Sequence, residues 1–445
     1  MIDDLLTVAN DVVARALRKG ASAADALAVE GRSTDISIEN GKIEKLEQAE
    51  SRDIGLRVFV GDCSANISGS VFDAASLDTM VERAIAMAKL APPDPFAGLA
   101  EPAQLATTTA DFDQCSQDDI PASALERMAR ETEESALAVP GVTKSSGSGA
   151  SSSRGGFGLV TSNGFSKGYM RSSVGLGISV IAGAGTAMQR DYDGHSTVYL
   201  ADLESVEKIG TTAGERAVMR LNPRKVASQA VPIIYDRRVS ASLIGHMLSA
   251  ISGAAIARGT SFLKDELGQR IFSDTISIVE DPHRMRGLAS RPFDGEGLPT
   301  LKHQIIDKGV LQNWTLDLRS ARKLGVSATG QASRGLGSPP SPSTTNVYME
   351  AGPESPEAMI KSLKVGFLVT EFIGSTINPV TGDYSRGASG FWIENGEVGF
   401  PVSEITIAGN LKQMFKALVP ANDLVFRSSF SVPSLLVEGM TIAGT

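Results

Sequence analysis

The chain of 445 residues is short of the side chains that most often carry metal and redox chemistry, with four His, two Cys and two Trp. Two cysteines cannot build a disulfide framework, and their scarcity fits a reducing cytosol. So few soft ligands leave few ways to assemble a zinc site. An excess of positive charge is missing as well. Forty-two Lys and Arg stand against 51 Asp and Glu, a formal charge of −9. That balance argues against nucleic acid as the main ligand, because phosphate binding needs clustered cations. No run of about 18 apolar residues occurs, so nothing reads as a membrane span. The start, Met1-Ile2-Asp3-Asp4, is acidic where a signal peptide carries basic residues. These absences lead to the expectation of a cytoplasmic protein without membrane contact. The length suggests roughly two or three domains.

What is present is patterned. Leu5, Leu6, Val8, Val12, Val13 and Leu17 recur at helical spacing and predict a helix over 3–18. From Ala24 to Val71 the period changes to two, with Asn40-Gly41 as a hairpin turn and Gly61-Asp62 as a second. Further helices are predicted near 75–90, 122–137, 202–220 and 238–256, with a strand at Val231–Asp236 between the last two. Residues 144–156 have the Ser/Gly composition of a linker. They lead straight into strand-like sequence, however, and read better as a strand whose outer face lies close to another backbone. Asn222-Pro223-Arg224-Lys225 marks a boundary. It divides an N-terminal α+β domain, 1–225, from a β-rich C-terminal domain, 226–445. No repeat with a period of 20–50 residues is visible. The Gly-, Ser- and Pro-rich stretch 329–345 reads as one long loop, unusual enough to be a functional candidate.

The nucleophile motifs are weak. Gly164-Phe165-Ser166-Lys167-Gly168 matches the pattern of a nucleophile elbow but follows a hairpin signal and enters a strand, so it reads as a turn. Ser-x-x-Lys occurs at Ser205, Ser261 and Ser320 without the companion motifs of serine acyltransferases. Of the four histidines, His246 sits beside the apolar stripe Leu243, Met247, Ile251 of a predicted helix that carries no second His, Asp or Glu. A half-buried core histidine is the plainer reading. His195 and His303 lie in polar strand-edge contexts. A substitute metal site from Asp236, Asp281 and His283 has no motif behind it. Cys63 and Cys115 have no His nearby in sequence.

Several segments together resemble one family. They are Gly259-Thr260-Ser261-Phe262-Leu263, Ala328-Thr329-Gly330 with Ser341–Asn346, the long block 381–414, and Pro433–Val437 with Thr441–Gly444. The block 381–414 includes Thr-Gly-Asp-Tyr-Ser-Arg-Gly-Ala-Ser-Gly-Phe-Trp-Ile-Glu-Asn-Gly. The chain resembles the TldD/PmbA family, the modulators of DNA gyrase, on its PmbA (TldE) branch. That likeness implies an α+β fold, with an N-terminal helix–antiparallel sheet–helix domain followed by a β-rich one. It also implies a heterodimeric metallopeptidase whose TldD-type partner holds zinc on a His-Glu-x-x-x-His helix, completed by a Cys near the C-terminus. Such pairs are associated with trimming unfolded peptides, among them microcin precursors and an antitoxin. Laid on this sequence, the second His of the motif falls on His246. The first falls on Ala241 and the Glu on Ser242, and no Cys follows Cys115. The resemblance therefore implies that Ala241, Ser242 and His246 are remnants of a metal site, and that this chain has no catalytic residue or metal of its own.

Peptidases of unfolded chains can take substrate by strand addition. The polar, Gly-rich segment holding Asp383, Tyr384, Ser385 and Arg386 is expected to be an exposed sheet edge that does this. Two other functions remain open on sequence: an autonomous hydrolase, homodimeric when isolated, and a non-proteolytic regulatory partner of gyrase. Direct contact with nucleic acid is not expected.

Overall fold

A computed structural model describes residues 1–444. The chain begins with α1 (Ile2–Arg18), β1 (Ala23–Glu39), β2 (Lys42–Val60), β3 (Cys63–Gly69) and α2 (Ala74–Leu90). After an extended connection the same order returns as α3 (Ala122–Leu137), β4 (Val142–Thr161), β5 (Ser166–Ala182), β6 (Gln189–Thr197) and α4 (Val206–Met219). The two halves share one six-stranded antiparallel sheet in the order β3-β2-β1-β4-β5-β6. They join along β1 and β4, which pair from Asp25↔Thr161 to Ile38↔Ser148. This helix–three strands–helix duplication spans about a hundred residues per copy, beyond the 20–50-residue period in which no repeat is visible. The Ser/Gly run is strand, as its continuation into apolar sequence predicts.

All four helices cover the face formed by even-numbered positions of β1 and β4. Helices α1 and α2 pack on Ala24, Ala26, Ala28, Leu56 and Val160 at one end. Helices α3 and α4 pack on Ile36, Ile38, Ala150 and Leu176 at the other. Glycine is required where α1 comes close: a Cβ at Gly168 would lie 2.8 Å from Ile2 Cγ2 and 2.5 Å from the Phe157 carbonyl oxygen. The Asn40-Gly41 turn is held by Glu133 of α3, whose carboxylate accepts both backbone N–H groups at 2.9 and 2.7 Å.

The rest of the chain starts with β7 (Gln229–Tyr235), α5 (Arg237–Ala250) and α6 (Gly253–Arg258). The region predicted as a single helix over 238–256 is thus two, divided at Ile251–Ser252. Next come β8 (Ile278–Glu280), β9 (His303–Asp307), β10 (Val310–Leu311), α7 (Leu318–Leu324), β11 (Ala332–Ser333), β12 (Ser341–Pro342) and β13 (Val347–Met349). The chain ends with α8 (Pro356–Ser362), β14 (Val365–Ile377), β15 (Asp383–Glu394), β16 (Glu397–Asn410), α9 (Leu411–Lys416), β17 (Leu418–Pro420), β18 (Phe430–Ser431) and β19 (Leu435–Ala443). Strands β16-β15-β14-β7-β19 form a sheet that closes on itself where β16 pairs with β19, and β17 adds to the outside of β19. A second sheet runs β10-β9-β8-β13-β18.

The C-terminal region meets the N-terminal sheet on its odd-numbered face. Loop 329–345 lies against β2 so closely that a Cβ at Gly55 would sit 2.1 Å from the Leu336 carbonyl oxygen. The structure places this loop as a strap between the two parts of the chain. Under it, Asp25 pairs with Arg57 (Nε at 2.9 Å) and with Arg334, all three nearly inaccessible to water. Among the described residues no helix is long and apolar enough to cross a membrane.

Candidate functional site

Helix α5 is positioned by three features of its sequence. Asp236 caps it, accepting the Arg238 backbone N–H at 2.9 Å. Val239, Leu243, Ile244, Met247 and Ala250 form an apolar stripe sunk into the core of the closed sheet. Arg238 donates to Asp191 of β6 at 2.7 Å, which ties the first turn to the N-terminal sheet. The other side of the helix, Ala241, Ser242, Gly245 and His246, is half-buried and faces strand β15.

Along β15 the side chains alternate, and this separates the four predicted substrate-binding residues. Tyr384 and Arg386 turn to α5. The Tyr384 ring meets His246 edge-on with centroids 5.9 Å apart, and Arg386 Nη1 donates to Ser242 Oγ at 3.3 Å. Asp383 and Ser385 point the other way. The Asp383 carboxylate accepts from Thr381 Oγ1 at 2.6 Å and Asn410 Nδ2 at 3.1 Å, bonds that hold its pKa below the usual carboxylate value. The expected exposed edge is not at this segment. Residues 383–386 pair with β16 on one side, and Tyr384 and Ser385 also pair with β14 on the other, so the backbone of β15 is occupied. Gly-rich, polar composition here serves a paired strand that crosses close to its neighbours.

Arg386 is held by more than Ser242. Its Nε donates to the Gly374 carbonyl at 3.0 Å, and its guanidinium lies 4.0 Å over the Phe372 ring. Among the described residues it has no carboxylate partner within salt-bridge distance. Ser242 is committed too, donating to the Val239 carbonyl at 2.6 Å while it accepts from Arg386. Ala241 has no donor atom. His246 Nε2 is buried and makes no hydrogen bond among the described residues. Burial first, and then the Arg386 charge, push its pKa below the ordinary histidine value, so the ring is neutral at pH 7. The Tyr384 hydroxyl is also buried, with only Tyr235 and Arg386 within reach, and its residue is only 2% exposed. Burial raises the Tyr384 pKa, with Tyr235 and Arg386 beside it offsetting part of the rise. Tyr235, fully buried on β7, reaches Met440 Sδ at 3.4 Å. Tyr235 and Phe372 have no motif in the sequence, since each reads as one more apolar residue of a strand.

The remaining histidines have structural partners. His283 stacks on Phe112 at 4.7 Å and bonds Thr300 Oγ1, His303 bonds the Thr329 carbonyl, and His195 Nδ1 accepts the Glu204 backbone N–H. Asp281 pairs with Lys302 while Asp236 caps α5. Among the described residues no group of three or more His, Cys, Asp or Glu is placed to hold a metal ion. Ser166 opens β5 directly after the Asn163-Gly164 turn, with Gly164 at φ 105°, so the elbow-like motif is a hairpin.

The helix and the strand both lie in a stretch that matches a known family. Three family models match in succession: PmbA/TldA metallopeptidase domain 1 at 24–88, the central domain at 115–221 and the C-terminal domain at 228–444. The chain is 35% identical over 442 residues to the metalloprotease PmbA of Escherichia coli O157:H7, covering 98% of this chain and 96% of that protein. The chain belongs to the PmbA/TldD metallopeptidase family. A PmbA homolog of Haemophilus influenzae is 36% identical over 432 residues, 96% of this chain and 94% of its own length. Among solved structures, a candidate modulator of DNA gyrase from Bacteroides thetaiotaomicron superposes with a TM-score of 0.93 at 29% identity, covering 100% of both chains. TldE from Thermococcus kodakarensis gives a TM-score of 0.88 at 21% identity over 98% of this chain and 100% of its own, which shows the PmbA/TldD fold. The successive domain 1 and central-domain matches fall on the two copies of the helix–three strands–helix unit.

Proposed function

We propose that this chain is the PmbA/TldE-type subunit of a cytosolic heterodimeric zinc peptidase that trims unfolded or extended peptides. In this reading it holds no zinc, and a TldD-type partner supplies the metal. The observation that carries the reading is the half-open face of α5. There Ala241 and Ser242 stand beside a single neutral His246, and a fixed guanidinium occupies the ground where a cation would have to sit. A zinc ion needs three protein ligands of suitable type, and a positive charge beside it opposes binding. The donor set does not fit the metal. The division at 225/226 belongs to the same proposal, with the remnant helix carried by the C-terminal part. Microcin precursors and an antitoxin remain the substrate expectation.

Strand addition is retained in this reading at a different place. Strand β7 pairs with β14 only from Phe367 to Val369, so one side of Ile373–Ile377 has no strand neighbour among the described residues. An extended peptide laid there would run beside Phe372 and Arg386.

The test is co-expression with a family member that carries the His-Glu-x-x-x-His helix. The expected result is an equimolar complex with one zinc per pair, and cleavage of an unfolded peptide faster than by the partner alone. Stoichiometric zinc in the purified chain, or peptide cleavage by it alone, would overturn the reading in favour of an autonomous homodimeric hydrolase.

A further inference from the structure

We infer that Arg386, Tyr384 and His246 form a carboxylate-binding subsite on the half-buried face of α5 that meets β15. The inference rests on the proposed function for its ligand, a peptide, but its geometry stands on this chain alone. The three groups gather there without a carboxylate among the described residues. Arg386 spends Nη1 on Ser242 and Nε on the Gly374 carbonyl and stacks its plane on Phe372, so its head is fixed in place. Its charge is uncompensated by any salt bridge among the described residues. His246 Nε2 is buried and has no hydrogen-bond partner among the described residues, and the Tyr384 hydroxyl, on a residue 2% exposed, has only Tyr235 and Arg386 within reach. Buried polar groups are ordinarily paired, and an orphaned cluster of this kind marks a missing ligand.

The nearby acids are engaged elsewhere. Glu371 pairs with Arg190 and Arg220, and Asp236 caps α5. Among the described residues no acid is within salt-bridge distance to neutralise Arg386. A carboxylate placed against the guanidinium would also accept the Tyr384 O–H and select the His246 tautomer with the proton on Nε2. Such charge-assisted bonds are the strong class of hydrogen bond. The ligand is therefore a peptide carboxylate, and the two sources of that group are the chain's C-terminal end and an Asp or Glu side chain.

The test uses the isolated full chain, with a short unstructured Ala/Ser peptide carrying a fluorophore at its N-terminus. It is titrated as the free acid, as the C-terminal amide, and as the amide with one internal Asp. The expected result is that the free acid binds about tenfold to a hundredfold more tightly than the amide. Arg386→Gln should abolish that ratio. Tyr384→Phe, which keeps the packing, should reduce it severalfold, and Arg386→Lys should restore part of what Arg386→Gln loses. Tight binding of the Asp-containing amide that depends on Arg386 would assign the subsite to side-chain carboxylates and equally support it. Equal binding of acid and amide, a ratio that survives Arg386→Gln, or no binding of the acid at millimolar concentration would overturn the inference. Failure to pair with a metal-bearing partner would sink the proposed function and leave the carboxylate ratio untouched, so the two failures are distinguishable.

Discussion

At the scale of single residues, Arg386 sets the character of the α5 face. The small Ala241 side chain leaves room and Ser242 offers a hydroxyl, which accepts from Arg386. The consequence for His246 is electrostatic. Its pKa is lowered first by burial and then by Arg386. The ring should therefore titrate below the ordinary value near 6.5. In Arg386→Gln it should titrate closer to that value while remaining depressed, because burial persists. NMR titration of the four His ring protons, assigned with His246→Asn, checks this, and an unchanged His246 curve in Arg386→Gln would refute the coupling. Leu243, fully buried in the same helix, is a packing residue. Leu243→Ala should cost about 2–5 kcal/mol of stability by leaving a cavity, readable as a lower denaturant midpoint.

At the scale of elements, strands and helices follow local sequence rules closely. The predicted 3–18, 75–90 and 122–137 agree with α1, α2 and α3 to within a residue or two, because a single apolar stripe meets a single sheet face. Asn40-Gly41 makes its turn, with Asn40 at φ 52° and Gly41 at 72°. The break inside 238–256 escaped the pattern: Ile251, Ala254 and Ala255 keep the helical spacing across Ser252, where the chain bridges to Thr315. Loop 329–345 was visible as a loop, but its role was not, because nothing local says that Leu336 lies on Gly55. Gly55→Val should force the strap off β2. A loss of about 1–3 kcal/mol is expected, together with faster proteolysis within 334–340. Unchanged proteolysis would show that the strap tolerates the side chain by shifting.

Across the whole molecule, charges buried between the two parts of the chain decide how stability responds to pH. Asp25 would have its pKa raised by burial, but Arg334 and Arg57 outweigh that and hold it below the usual carboxylate value. An acid with a lowered folded pKa adds stability that is fully present above its unfolded value near 3.9 and is lost as pH falls through the folded one. Glu296, 5% exposed, behaves oppositely: burial and the Asp294 charge push it up to about 8. It is protonated in the folded chain and ionised in the unfolded one between about pH 4.3 and 8, so stability falls as pH rises across that window. Glu296→Gln should flatten the fall when melting temperature is followed from pH 5 to 8, and an unaltered slope would count against it. Asp25→Ala strands two buried guanidinium groups. It should destabilise by about 3–5 kcal/mol, measured by chemical denaturation.

The amino-acid sequence by itself determined the elements, the absence of a membrane-length apolar run, and the identities at 241, 242 and 246. Each of these depends on residue type and short-range spacing, and both are written along the chain. The duplicated helix–three strands–helix unit escaped it, because the two copies fill equivalent strand positions with different residues, alanine and apolar side chains in one and serine and glycine in the other. Only the tertiary structure decided which side chains meet. It paired β15 on both sides and so removed the expected edge. It turned Tyr384 and Arg386, but not Asp383 or Ser385, towards α5. It also set Arg334 against Asp25 across 309 residues of chain. Contacts between residues so far apart depend on how sheets close and pack, and no local pattern encodes that.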